Sequence, residues 1–470
     1  MIRGALLAAA MLPLTLAAST QDTTVDVTGA QPAPRNVILI IGDGMDDQQI
    51  TIARNYLKGM EGELLLDGLP MRGVAQVLAY ADTTSKTPVY VADSANTATS
   101  MATGEITSRG RISTSPGDDQ DITTIIELAE QAGYRTGLVT TSSVTDATPA
   151  AFAAHISVRV CENPDAMVQV TYRDILLGDC SNDLKANGGP GSIAEQLAVS
   201  GVDVILGGGM KHFEPNVEGS NQSVLALAEE SGFTTLNSRD ALAASAPDQR
   251  LLGLFAPSHL PVRLRGENGR EAEAPEPSVL NSVHRYLGDV EQPAVMNCEP
   301  EPAFEGTPSL QQMTDIALRN LSHKNDKGFF LMIESASIDK KAHERKPCGS
   351  IGELEQLEEA LASALAFSAT QPDTLVLVTA DHSQAAQLIP YESLFARYPI
   401  PTFSPGKVAR IRTPEGSVMV VNYATTNFVM EEHTGANVPV FGNAAAVGYV
   451  APYIRQPELF DLMRDYLDLN

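Results

Sequence analysis

The chain predicts an α/β fold with a mainly parallel central β-sheet flanked by helices on both faces and a small β-rich inserted subdomain. Three observations carry this. Apolar runs of strand length alternate with amphipathic helical patterns. The runs are continuously apolar, as in strands covered on both faces. Several end on acidic residues, at the edge where open parallel sheets build their sites.

In chain order, residues 1–19 hold one positive charge, Arg3, an apolar run from Ala5 to Ala18, and small residues around Ala17, Ala18 and Ser19. This is the pattern of a secretory signal peptide. The run is short of the roughly 20 apolar residues that a span requires, and no later segment is long and apolar enough. Residues 20–34 are polar and contain prolines, and read as a flexible N-terminal arm. Residues 35–470 read as the main folded domain. Its strands are Asn36–Ile41, Thr136–Thr140, Val202–Leu206, Phe329–Ile333 and Thr374–Thr379; its helices are Ile122–Gln131, Ile193–Ser200, Leu310–Asn320 and Ile351–Ser368. Residues 257–279, rich in Pro, Glu and Arg, read as a surface insertion. Residues 403–450 differ in pattern, with short alternating strands around Val408–Ile411 and Ser417–Asn422; a β-rich insertion is placed around residues 385–430.

The net charge is −26, Trp is absent and aromatics make up 5%, which argues against a nucleic-acid surface. Four cysteines in an exported chain, Cys161, Cys180, Cys298 and Cys348, suggest two disulfides. Three pairings are possible, of which nearest-neighbour pairing is preferred. None has CxxC spacing, which argues against a zinc–thiolate site.

The chemistry collects at strand ends. Ile41 is followed by Gly42-Asp43-Gly44, Ile333 by Glu334, and Thr379 by Ala380-Asp381-His382. Carboxylates gathered on one rim repel unless cations lie between them. Asp339 and His343 are spaced i, i+4 and so share a helix face, fit to hold a divalent metal. His433 is the best third ligand among eight histidines. His155 reads as a buried, hydrogen-bonded histidine, and His212, His259, His284 and His323 are set aside. Ser94, after Asp93, falls at a predicted helix start, where an anion or alkoxide is stabilised. Asp146 and Thr148 offer hard oxygen ligands suited to magnesium, and Arg159 a planar fork for phosphate oxygens.

Taken together, Asp43-Gly44, Asp93-Ser94-Ala95, Asp146-Ala-Thr148-Pro, Glu334-Ser-Ala-Ser-Ile-Asp339, Thr379-Ala-Asp381-His382 and His433-Thr-Gly435, in that order over residues 35–450, closely resemble the secreted bacterial alkaline phosphatases. The resemblance implies two zinc ions, one held by Asp339, His343 and His433 and one by Asp43, Asp381 and His382. It implies one magnesium held by a bridging Asp43 with Thr148 and Glu334. Ser94 would be the nucleophile, passing through a phosphoserine intermediate. Arg159, oriented by Asp93, would bind phosphate, and Asp146 and Lys340 would surround the magnesium and the phosphate. It further implies nearest-neighbour disulfides, a homodimer, a periplasmic or secreted location, broad specificity for small phosphate monoesters and an alkaline optimum. Two zinc ions ~4 Å apart suit a reaction that demands charge neutralisation at both the attacking and leaving oxygens. Ala342 departs from relatives that carry an acid just before the histidine. The Asp146/Lys340 combination resembles the magnesium-using type. A phosphodiesterase or sulfatase of the same superfamily is the alternative, disfavoured by Asp146, Thr148 and Glu334 together.

Overall fold

Ten strands form one sheet in the computed structural model, which describes residues 34–172, 175–391 and 404–469. The expected signal peptide, nearly all of the N-terminal arm and part of the β-rich insertion lie outside the described residues. The strands are β1 (Arg35–Gly42), β2 (Met71–Gln76), β3 (Arg135–Ser143), β4 (Val204–Gly208), β5 (Phe233–Leu236), β6 (Arg250–Leu254), β7 (Gly328–Ser335), β8 (Thr374–Ala380), β9 (Val438–Gly442) and β10 (Tyr453–Arg455). Their order is β10-β2-β9-β8-β1-β7-β3-β4-β6-β5. Only β9 runs against its neighbours. All five strands expected from continuous apolar runs are present, with ends displaced by at most three residues. The three central ones, β8, β1 and β7, are almost wholly buried, which is why they lack a polar alternation.

The helices that matter for the site are α1 (Asp47–Lys58), α2 (Ser94–Thr103), α3 (Ala147–Ala153), α4 (Leu310–Ser322), α5 (Ser337–His343) and α6 (Pro347–Thr370). The expected helices at 122–131 and 193–200 occupy Ile125–Gln131 and Ile193–Val199. Side chains close their N-termini. Asp46 accepts from Gln48 N and Gln49 N at the start of α1, and Ser309 and Gln312 form a reciprocal cap on α4.

Two expectations change. The stretch 403–450 is not one β-rich unit. Val418–Tyr423 pairs with both Lys407–Arg412 and Gln387–Ile389 in a separate three-stranded antiparallel sheet, but β9 inserts into the central sheet. Its five buried residues read alike in both settings, and only pairing with β8 and β2 decides between them. Residues 257–279 are not simply surface: Leu260, Val262 and Ala272 are buried, and Glu273 bridges to Val408.

The disulfides are Cys161–Cys180 and Cys298–Cys348, the nearest-neighbour pairs, with sequence separations of 19 and 50. Loop-closure entropy predicts that removing the longer link costs more, about 4 against about 3 kcal/mol. Urea unfolding of Cys298→Ser/Cys348→Ser beside Cys161→Ser/Cys180→Ser checks the ranking. Among the described residues, no helix is long and apolar enough to cross a membrane.

Candidate metal and phosphate site

Strand register assembles the acidic rim. Ile41 in β1 is level with Glu334 in β7 and with Thr379 in β8, so Asp43, Glu334 and Asp381 emerge side by side. Gly44 turns the chain here with φ +69°; a Cβ on it would lie 2.8 Å from Gln384 Cγ and 3.0 Å from Asp339 Cβ. Its amide donates to Asp381 Oδ1 at 2.9 Å.

α5 follows β7 and places Asp339 and His343 on one face, with His343 Nε2 3.3 Å from Asp339 Oδ2. His433 arrives from the segment before β9, its Nε2 3.4 Å from Asp339 Oδ1 and 3.0 Å from His343 Nε2. The Nδ1 of His433 donates to Ala92 O at 2.9 Å, and that of His343 donates to Glu431 O. Both rings therefore turn Nε2 lone pairs and a carboxylate toward one point, the donor set of a tetrahedral metal site. Asp339, His343 and His433 form one group with ion-holding geometry; Asp43, Asp339 and His382 form another. Asp381 belongs beside the second, its Oδ2 3.3 Å from His382 Nε2, which lies 3.4 Å from Asp43 Oδ1.

These residues fit cations. Asp43 Oδ1, Thr148 Oγ1 and Asp381 Oδ2 are buried without a hydrogen-bond partner, which a native interior rarely tolerates. Without a cation, burial together with Asp339 and Asp381 drives the Asp43 carboxyl far above its usual range. Burial raises Asp381 to about 6, and burial with the nearby Asp146 raises Glu334 to about 7. Ions between these acids would restore ionisation. Glu334 accepts from Thr140 and, at 3.1 Å, from Ser142 Oγ.

The phosphate side follows from α2 and α3. Asp93 caps α2, accepting from Asn96 N at 3.1 Å, so Ser94 opens the helix. Ser94 is 3% exposed, and its Oγ lies 3.1 Å from His382 Nε2. Arg159 donates to Asp93 Oδ2 at 3.2 Å and to Asp146 Oδ1 at 3.1 Å. Lys340 donates to Asp146 Oδ2 at 2.5 Å. Burial alone would raise Asp146, but Lys340 and Arg159 hold it far below the usual carboxylate range. All thirteen residues singled out in the sequence thus gather on one rim.

Sequence reading missed several supporting residues. Gln384 donates to Asp339 Oδ1, Gln456 donates to Asp381 O at 2.6 Å, and Asp46 accepts from Ser383 Oγ at 2.6 Å. His259, set aside earlier, lies 3.9 Å from Asp146. Uncharged glutamines and a lone histidine carry no spacing signal of their own. His155 is hydrogen-bonded as expected, with Nδ1 3.0 Å from Ser113 O and Nε2 3.2 Å from Glu127 Oε1, but it is half-buried rather than buried. Burial would lower its pKa, but these two acceptors favour the doubly protonated ring and raise it. That stabilisation is complete below the unfolded value near 6.5 and is lost as pH rises through the folded value. Glu127→Gln, which can keep the reciprocal cap with Thr124, is therefore expected to cost about 0.5–1 kcal/mol at pH 5.5 and less at pH 9, since Glu127 is partly exposed. Urea midpoints at the two pH values test this.

A parallel-sheet rim that gathers acids and histidines fit for several cations, beside a serine on a helix N-terminus and an Arg fork, fits a metal-dependent hydrolase of phosphate esters. The family model described as "Alkaline phosphatase" matches residues 34–440. The chain is 40% identical to the streptomycin-6-phosphate phosphatase of Streptomyces griseus, covering 96% of this chain and 93% of the relative. It is 37% identical to the alkaline phosphatase of Escherichia coli strain K12, covering 95% and 88%. The solved Thermus thermophilus alkaline phosphatase shares the fold, with a TM-score of 0.63 at 21% identity over 95% of each chain. The chain belongs to the alkaline phosphatase family, and so to the phosphoric monoester hydrolases.

Proposed function

We propose that this enzyme hydrolyses a broad range of phosphate monoesters by way of a phosphoserine at Ser94, releasing inorganic phosphate. Asp339, His343 and His433 would hold one zinc, Asp43, Asp381 and His382 a second, and Asp43, Thr148 and Glu334 a magnesium. When bound, the ions supply charge neutralisation at the attacking and leaving oxygens and lower the pKa of the attacking group. Arg159, its guanidinium oriented by Asp93 and Asp146, grips two phosphate oxygens in a fixed plane. Lys340, whose charge is secured by Asp146, adds a second positive charge to offset that of the phosphate. Ser94 attacks phosphorus in line; the ester oxygen leaves, and water then opens the phosphoserine. The observation that carries this reading is Ser94 Oγ at 3.1 Å from His382 Nε2, among buried carboxylate oxygens that lack partners. Magnesium suits the third centre because Asp43, Thr148 and Glu334 are all oxygen donors. The mature protein is proposed to be a periplasmic or secreted homodimer, with residues 1–19 removed and residues 20–34 as an N-terminal arm leading into the catalytic domain.

Turnover of an aryl monoester, a diester and a sulfate ester, before and after chelation, tests the reading. Monoester hydrolysis should dominate, and chelation should abolish it; preference for the diester or the sulfate would overturn it. The name of the Streptomyces griseus relative specifies streptomycin 6-phosphate, so that ester belongs in the assay.

A further inference from the structure

One buried ion pair lies outside the machinery described so far. The side chains of Arg345 and Glu431 are 4% and 0% exposed, and Arg345 Nε donates to Glu431 Oε2 at 2.6 Å. The rest of the guanidinium donates to Val429 O at 3.1 Å and Phe428 O at 2.8 Å. The other carboxylate oxygen, Oε1, accepts from Thr425 N and Oγ1 and from Thr426 N. Residues 425–431 therefore close into a ring about this pair. Arg345 itself has φ +59°, a conformation a non-glycine residue keeps only when its surroundings hold it there.

The ring is tied directly to the metal face. Glu431 N donates to His343 O at 3.0 Å, and His343 Nδ1 donates back to Glu431 O. Two residues on from Glu431 stands His433; two residues before Arg345 stands His343. The tip of the loop adds little packing, since Phe428 and Val429 are 60% and 57% exposed. Its shape rests on the buried pair. Where a backbone carbonyl fixes the tautomer and tilt of a ligand histidine, the placement of that carbonyl tunes metal affinity.

We propose that Arg345 and Glu431 are positioning residues, a clamp that sets the spacing of His343 and His433 and thereby how tightly their zinc is held. This rests on the ligand set proposed above. Removing one partner strands a buried charge, loosens residues 425–433 and lets the two rings part.

The test uses the full-length, metal-loaded enzyme with Glu431→Gln, which keeps the backbone carbonyl, and Arg345→Lys, which keeps the charge but not the fork. Zinc release to a chromophoric chelator and zinc affinity by competition are measured, with metal content by mass spectrometry and the melting temperature of the metal-free protein. Glu431→Gln should weaken one zinc about 10- to 100-fold while the second zinc and the magnesium remain. Arg345→Lys should fall between it and the parent, and excess zinc should restore kcat. A lowered melting temperature with unchanged zinc affinity and release would assign the pair to stability alone and overturn the clamp. His433→Ala serves as the control. If it retains the parent's zinc, the ligand set fails; if it loses zinc while both clamp variants keep it, the clamp alone fails.

Discussion

Ser94→Ala is expected to lower kcat/KM for a phosphate monoester by at least about 10³-fold while leaving bound metal unchanged. The oxygen removed is the one hydroxyl that the start of α2 holds against His382, at 3.1 Å and almost fully buried. None of the proposed ligands is altered, and Asp93 still caps α2 through Asn96 and still meets Arg159. Phosphate binding should therefore survive, leaving a slow reaction in which water attacks without the serine. Steady-state kinetics beside metal analysis separates the two effects. Activity equal to that of the parent would remove Ser94 from its role, and loss of metal with activity would make it a structural residue.

The second large effect is expected from His433→Ala. Its Nε2 faces Asp339 and His343, and its ring stacks on His382 with centroids 3.6 Å apart. Its Nδ1 bonds Ala92 O, at the turn that leads to Ser94. Alanine would remove a proposed metal donor and, together with it, a tie to the turn before Ser94. The zinc of this centre should weaken by more than the roughly 10- to 100-fold that follows loss of an outer partner, and activity should fall with zinc content. Mass spectrometry after dialysis decides it: unchanged zinc stoichiometry would refute the ligand. Excess zinc should restore only part of the activity, because the tie to Ala92 is also gone.

The α/β class was legible because β1, β7 and β8 are buried on both faces and carry no polar break; the same feature located their ends and hence Asp43, Glu334 and Asp381. Spacing alone made Asp339 and His343 a pair, and a small-residue run after Asp93-Ser94 marked a helix start. The edge elements were less legible. β2, β5, β6 and β10 are three to six residues long, and strands so short carry too few residues for a period. β9 falls within the 403–450 stretch whose short alternating strands suggest a separate β-rich unit, and its five buried residues fit either sheet.

By itself, the sequence determined the layered α/β class, the chemical character of each donor and the local spacing that pairs Asp339 with His343, because these depend on neighbours within a turn or a strand. Only the tertiary structure decided which distant donors meet. Register across β8, β1 and β7 brings residues 43, 334 and 381 to one rim, and the loop around Glu431 presents His433 to His343 across ninety positions of chain. The glutamines at 384 and 456 and the clamp at Arg345 were silent in the sequence for the same reason. Their partners lie 45, 75 and 86 residues away, and a hydrogen bond across such a separation leaves no periodic trace in the chain.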